Sequence, residues 1–147
     1  MTYLLKDIAD HLKGSTDVSD EFGIHFYPDF IPQGISWEQA VVLSDISNAP
    51  DYYLGGESGT HTSTMQIDVW TNGKGAKPRE RLNTLTELVR NRLSGYRGQF
   101  GTGCYGTARI VRNNTIAAQP TDGSDNHRLR ASMDFEIIHT ADVPDLA

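Results

Sequence analysis

The sequence predicts an α/β domain of the α+β kind: a single mixed or mainly antiparallel sheet, two helices on one of its faces, and a projecting β-hairpin arm. Three observations carry this. Met65, Ile67 and Val69 alternate with Gln66, Asp68 and Trp70, the period of a strand with one buried face. After a glycine-containing turn, Leu82, Leu85, Leu88, Val89 and Leu93 recur at helical spacing, with Arg79, Glu80, Glu87, Arg90 and Arg92 pointing largely elsewhere. Near the end, Leu129, Ala131, Met133, Phe135 and Ile137 alternate with Arg128, Arg130, Ser132, Asp134 and Glu136, so one face suits a core and the other is a row of mixed charge.

Taken in order, residues 2–12 read as a first helix. Leu4, Leu5, Ile8 and Leu12 fall on one side, Thr2 serves as N-cap and Gly14 as terminator. Residues 15–21 are polar and acidic and read as a loop. Between Phe22 and Ile35 aromatic and aliphatic residues crowd together, interrupted by Pro28, Pro32 and Gly34. The prolines forbid a regular helix or central strand while the apolar content asks for burial, so an extended ribbon across the core is expected. Val41, Val42 and Leu43 are apolar on both faces and belong inside the sheet. Residues 40–70 form a long antiparallel hairpin whose outer part, about residues 50–63, projects from the body. A two-stranded arm is marginal alone in water, so Tyr52, Tyr53 and Leu54 on it point to a docking surface.

Pro78 suits a first helical turn, since it has no N–H to leave unpaired there. Gly95 ends that helix in a left-handed cap. Residues 96–106 are glycine-rich and aperiodic, 107–117 form a strand, 119–126 a turn, and the tail from Thr140 frays.

At 147 residues and 37% apolar content the chain suits one compact domain, residues 1–147, with no internal boundary or repeat. No apolar run is long enough for a membrane span, and the N-terminus lacks a signal-peptide layout, which makes synthesis in the cytoplasm the expectation. The single cysteine, Cys104, has no partner for an internal disulfide. A formal charge of −6 argues against tight phosphate-neutralising DNA binding, yet lets a polyanion pass without sticking.

The search for chemistry is negative throughout. Gly101 to Gly106 frames Cys104 like a nucleophile, but no histidine lies at a partnering interval, so a free thiol in a loop is the plainer reading. Gly73-Lys74-Gly75 lacks the remaining residues of a phosphate loop. Asp122-Gly123-Ser124-Asp125-Asn126 has its carboxylates at the wrong intervals for calcium. His11, His25, His61, His127 and His139 are scattered without the close pairs of a zinc site. Asp68 and Asp134 could form a carboxylate pair, but Arg128 and Arg130 beside them favour cross-strand ion pairing. No cofactor, metal site or catalytic residue is expected. The charged face carrying Asp68, Arg128, Arg130, Asp134 and Glu136 reads as a solvated sheet face, a subunit interface or a pore lining.

Phe26-Tyr27-Pro28-Asp29-Phe30-Ile31-Pro32-Gln33-Gly34, leading into Val41-Val42-Leu43, resembles the tail-completion (tail terminator) proteins of long-tailed bacteriophages, where a Pro-Gln-Gly turn precedes a hydrophobic strand. The run from Met65 to Trp70 with its following turn and Leu-rich helix is similar to the family's middle. Asp125, Arg130 and Phe135-Glu136-Ile137 resemble its closing strand. Glu38-Gln39 stands where the family often has a Pro-Tyr pair. The resemblance implies a non-enzymatic virion protein at the tail–neck junction. It would assemble as a homo-oligomeric ring, usually a hexamer, capping the tail tube protein, meeting the head–neck connector and letting DNA pass through its lumen without specific binding. Tyr52, Tyr53, Leu54 and the charged strand face then become the surfaces with something to offer a neighbour. The alternatives are another neck component, an adaptor or stopper, and, further off, a small enzyme or ligand-binding module.

Overall fold

The computed structural model describes residues 4–53, 56–73, 78–101, 103–118 and 127–140. Three helices, α1 (Leu4–Lys13), α2 (Thr16–Phe22) and α3 (Pro78–Leu93), accompany six strands: β1 (Phe26–Pro28), β2 (Gln39–Tyr53), β3 (Gly56–Gly73), β4 (Arg97–Gln99), β5 (Tyr105–Ala118) and β6 (His127–Thr140). The strands form one mixed sheet in the order β1-β2-β3-β6-β5-β4, curled into a half-barrel. Only β1 runs parallel to its neighbour, and the remaining pairings are antiparallel.

Register explains the core. Val41, Val69 and Ala131 stand in one row across the sheet; Leu43, Ile67 and Met133 stand in another. All six are buried, on the face that receives the helices. Leu82, Leu85, Val89 and Leu93 of α3 complete that core, while Leu88 packs at its margin. The helix ends where Gly95 takes φ +77°, the left-handed conformation that a terminating glycine adopts readily.

The structure departs from the sequence-based expectation in four places. Residues 16–22 are helical, not a loop. Val18 and Phe22, one turn apart, are both buried and anchor the polar, acidic turn of α2 to the core. The expected ribbon over 22–35 is largely absent. Phe22 closes α2, only Phe26–Pro28 is strand, and Ile24 (83%), Phe30 (69%) and Ile35 (40%) are exposed. The glycine-rich stretch after α3 supplies a short edge strand, β4. The arm is shorter than expected, because β3 pairs with β6 as far out as Thr60 opposite Thr140. Among the described residues, only the part of β3 beyond Thr60 has β2 as its sole partner, with Glu57 opposite Tyr52 and Gly56 opposite Tyr53. Of the expected frayed tail, Thr140 belongs to β6, and residues 141–147 lie outside the described residues.

Leu85 is wholly buried in the middle of α3. Leu85→Ala is expected to cost about 2–5 kcal/mol in urea unfolding, by lost transfer energy and a residual cavity. Arg90→Ala on the exposed face of the same helix should change stability by less than about 0.5 kcal/mol.

Candidate assembly surface

The polar face of the sheet follows from the same two-residue period that builds the core. Residues between the buried ones point away from the helices, so Gln66, Asp68 and Trp70 of β3 line up beside Arg130, Ser132, Asp134 and Glu136 of β6. Asp68 is not solvated but 7% exposed. It accepts a hydrogen bond from Gln66 Nε2 at 3.0 Å, and Arg130 Nη1 lies 3.9 Å from its carboxylate. Arg130 also stacks its guanidinium over Trp70, 5.3 Å from the ring centre, while Trp37 meets Trp70 edge-on at 6.5 Å. The segment carrying Trp37 therefore lies against Trp70 and Val42, at the β2–β3 side of this face.

Asp68 stands opposite Ser132 and Asp134 opposite Gln66, so the two carboxylates are diagonal neighbours rather than a facing pair. With Arg130 beside Asp68, cross-strand charge pairing describes the geometry, and a shared-proton carboxylate site does not. Glu136 accepts from Arg109 of β5 at 3.0 Å, and Asp134 stands opposite Arg112. Arg128 pairs through its backbone with Asn72 and Ala118. Tyr52 and Tyr53 lie in β2 on the arm, and Leu54 lies outside the described residues. The structure thus gathers Asp68, Arg130, Asp134 and Glu136 on one face and places the arm residues apart from them.

Of the residues singled out for chemistry, Cys104, His11 and His139 have structural partners, while Lys74 and residues 122–126 lie outside the described residues. Cys104 donates its backbone N–H to Asp7 Oδ2 at 3.2 Å. Asp7 reaches it only because residue 103 is glycine: a Cβ there would fall 2.1 Å from the carboxylate. Burial, reinforced by the hydrogen bond and charge of Asp7, pushes the Cys104 thiol up to about 12. A thiol so held is a poor nucleophile near neutral pH.

His11 donates from Nε2 to the Arg92 carbonyl at 3.0 Å, and Arg92 Nε returns a bond to the His11 carbonyl at 2.9 Å, which ties the end of α1 to the end of α3. Burial is the main reason the His11 pKa falls below the ordinary histidine value; the bond to the Arg92 carbonyl opposes this and the Arg92 charge adds to it. His139 shares a hydrogen bond of 2.8 Å with Ser63, whose side chain is wholly buried and out of reach of a substrate. Among the described residues no three His, Cys, Asp or Glu side chains gather as metal ligands. No helix among them is long and apolar enough to cross a membrane. A groove of about 470 Å³ lies between α1 and β1, lined by Leu5, Ala9, Phe26 and Leu43 with Lys6, Lys13 and Asp10, but without histidine or cysteine.

Sequence reasoning missed the Trp37–Trp70–Arg130 stack and the exposed Ile24, Phe30, Ile46 and Val111. The alternation did place Trp70 on the polar face, and that was the available signal for the stack.

A family model described as "Tail completion protein gp17" matches residues 6–140. The fold is similar to that of a chain in a solved structure titled "Virion of native gene transfer agent (GTA) particle", with a TM-score of 0.72 and 16% identity over 94% of this chain and 95% of that one. At this identity the likeness establishes the fold. A search of curated protein sequences finds no match.

Cys104 offers a direct check on the absence of an activated nucleophile. With its thiol raised to about 12, native protein at pH 8 should react with Ellman's reagent at least about tenfold more slowly than protein unfolded in urea. Equal rates would show an exposed, ionisable thiol.

Proposed function

The chain belongs to the tail completion protein gp17 family of structural bacteriophage tail proteins, and on that premise we propose that it forms a ring that caps the tail tube and joins the tail to the head–neck connector. The family match over residues 6–140 carries this reading, since it runs from within α1 to the end of β6. A family of structural tail proteins implies no catalysis, and the satisfied partners of Cys104, His11 and His139 agree with that.

The ring, expected to contain six copies, terminates polymerisation of the tube protein on one face. It meets the connector on the other and passes DNA through its centre. A net charge of −6 suits a conduit that must not hold a polyanion. Tyr52, Tyr53 and Leu54 supply apolar contacts to a neighbouring copy or to the tube. The mixed charges of Asp68, Arg128, Arg130, Asp134 and Glu136 set register or line the passage.

Two experiments test this. Image averages of the purified chain, alone and mixed with tube protein, should show rings, and adding the chain to polymerising tube protein should stop elongation. Monomers under both conditions, with tubes growing unchanged, would refute the proposal. Replacing both Tyr52 and Tyr53 by Ser should weaken assembly while leaving the monomer's melting temperature within a degree or two. A large loss of monomer stability would mean that the arm serves its own core instead.

A further inference from the structure

The two ends of the sheet are stepped in opposite senses. On one side β1 covers β2 only at Val41–Leu43, which leaves β2 from Ser44 onward as the sheet's edge. On the other side β4 covers β5 at Tyr105–Thr107, and Gly95 and Tyr96 bond both backbone groups of Ala108, which leaves β5 from Arg109 onward as the edge. The register places these steps at opposite heights. The β1 step lies in the rows of Ala131 and Met133, and the β4 step in those of Ile138 and His139. A protrusion low on one edge thus corresponds to open strand low on the other, and the reverse holds high up.

The bare part of β2 has register shifts after Asp45 and after Pro50, and that of β5 has one after Ile110; the shifts after Asp45 and Ile110 flank the same row. Asp45, Met65, Phe135 and Ile110 stand in line across the sheet. The shift between Asp45 and Ser47 turns out Ile46, and that between Ile110 and Arg112 turns out Val111. These aliphatic side chains are 54% and 59% exposed. The charges beside the two bulges lie on opposite faces of the sheet. Asp45, opposite Met65, is on the helix side, with Asp29 held nearby at β2 by its N–H bond to the Leu43 carbonyl at 2.9 Å. Arg109 and Arg112, opposite Glu136 and Asp134, are on the polar side, where Arg109 is paired with Glu136. Burial raises the Asp45 carboxyl above its usual range, with a lowering contribution from His139 and a raising one from Asp29.

From these observations we propose that the β1–β2 edge of one copy docks against the β5–β4 edge of a second copy of this chain, head to tail, with Ile46 meeting Val111. The inference rests on the ring reading above and names the surfaces that close it. A second copy is the occupant because both complementary halves are on this chain: opposite steps, and exposed aliphatic bulges at matched heights. A two-fold contact would instead set Asp29 and Asp45 against their own copies, which is repulsive.

The contact is made by side chains rather than by strand addition at β1. Pro28 has no N–H, the Phe26 N–H turns back to the Ile24 carbonyl, and the Phe30 N–H turns back to the Pro28 carbonyl. The exposed Ile24 and Phe30 on either side of β1 extend the apolar surface along the low half of the joint.

The test is cross-linking of the full chain carrying Cys104→Ser. Ile46→Cys and Val111→Cys, mixed as separate variants and treated with a short bismaleimide, should give dimers, while either alone gives none. The chain carrying both should give a ladder up to the size of the assembled ring. Val111→Asp should raise the concentration needed for half-assembly about tenfold without lowering the melting temperature, because it puts a charge into the apolar joint from a position exposed in the single copy. Rings seen in image averages with no cross-link between positions 46 and 111, or with 46-to-46 cross-links, would overturn this joint and leave the ring reading standing. Monomers alone, with and without tube protein, would overturn both.

Discussion

The fold depends on the long antiparallel pairing of β3 with β6, continuous from Thr60 opposite Thr140 to Gly73 opposite His127. Along it Met65 pairs with Phe135, Ile67 with Met133 and Val69 with Ala131, all fully or almost fully buried. A one-residue slip in this ladder would turn every one of them to the opposite face and bring Asp68, Arg130 and Asp134 under α3. The penalty for such a slip makes the register singular. That register in turn fixes the heights of everything outboard, from Asp45 on β2 to Ile110 on β5.

Placing the helices on one face settles where the polar groups go. The helix-side groups that might have reacted are held by one another: Asp7 by Cys104, His11 by Arg92, and His139 by Ser63. Each of these bonds joins distant parts of the chain and helps to fix α1, α3 or a sheet strand in place. The opposite face keeps its charges but pairs them across strands, Asp68 with Arg130 and Glu136 with Arg109. Of these, the exposed Arg109–Glu136 pair adds little stability on its own.

The sequence revealed the parts governed by a repeating period and concealed those governed by a single contact. The strand around Ile67, the helix from Pro78 to Leu93 and the closing strand around Met133 each repeat their signal several times, so they were legible. α2 offers only Val18 and Phe22, one spacing among acidic residues, and that reads equally well as a loop. Crowded apolar residues from Phe22 to Ile35 implied burial, but residue type says nothing about which side of an edge strand they occupy; Phe26 turned inward while Ile24 and Phe30 stayed in solvent. Bulges are hidden for the same reason. Ile46 and Val111 sit in runs that look regular, and the extra residue becomes visible only once the partner strand is counted opposite. The alternation did put the charged residues on one face, while the Trp37 contact made on it comes from a segment with no period at all.

A protein that works as a joint needs a body whose shape does not change as neighbours attach, together with surfaces left incomplete on purpose. The body here is a helix layer on a sheet, with its core filled by aliphatic and aromatic side chains in dense register. Incompleteness appears at the margins: strands β1 and β4 of only three residues each, two outward bulges, and an arm that beyond Thr60 has one strand pair to support it. A two-stranded arm gains much of its order from what it touches. If the arm docks as proposed, its docking is coupled to its own ordering, which lowers affinity for a lone partner and favours attachment where several copies present the same surface together. Marginal edges on a rigid body would then let the chain stay separate until a template gathers it.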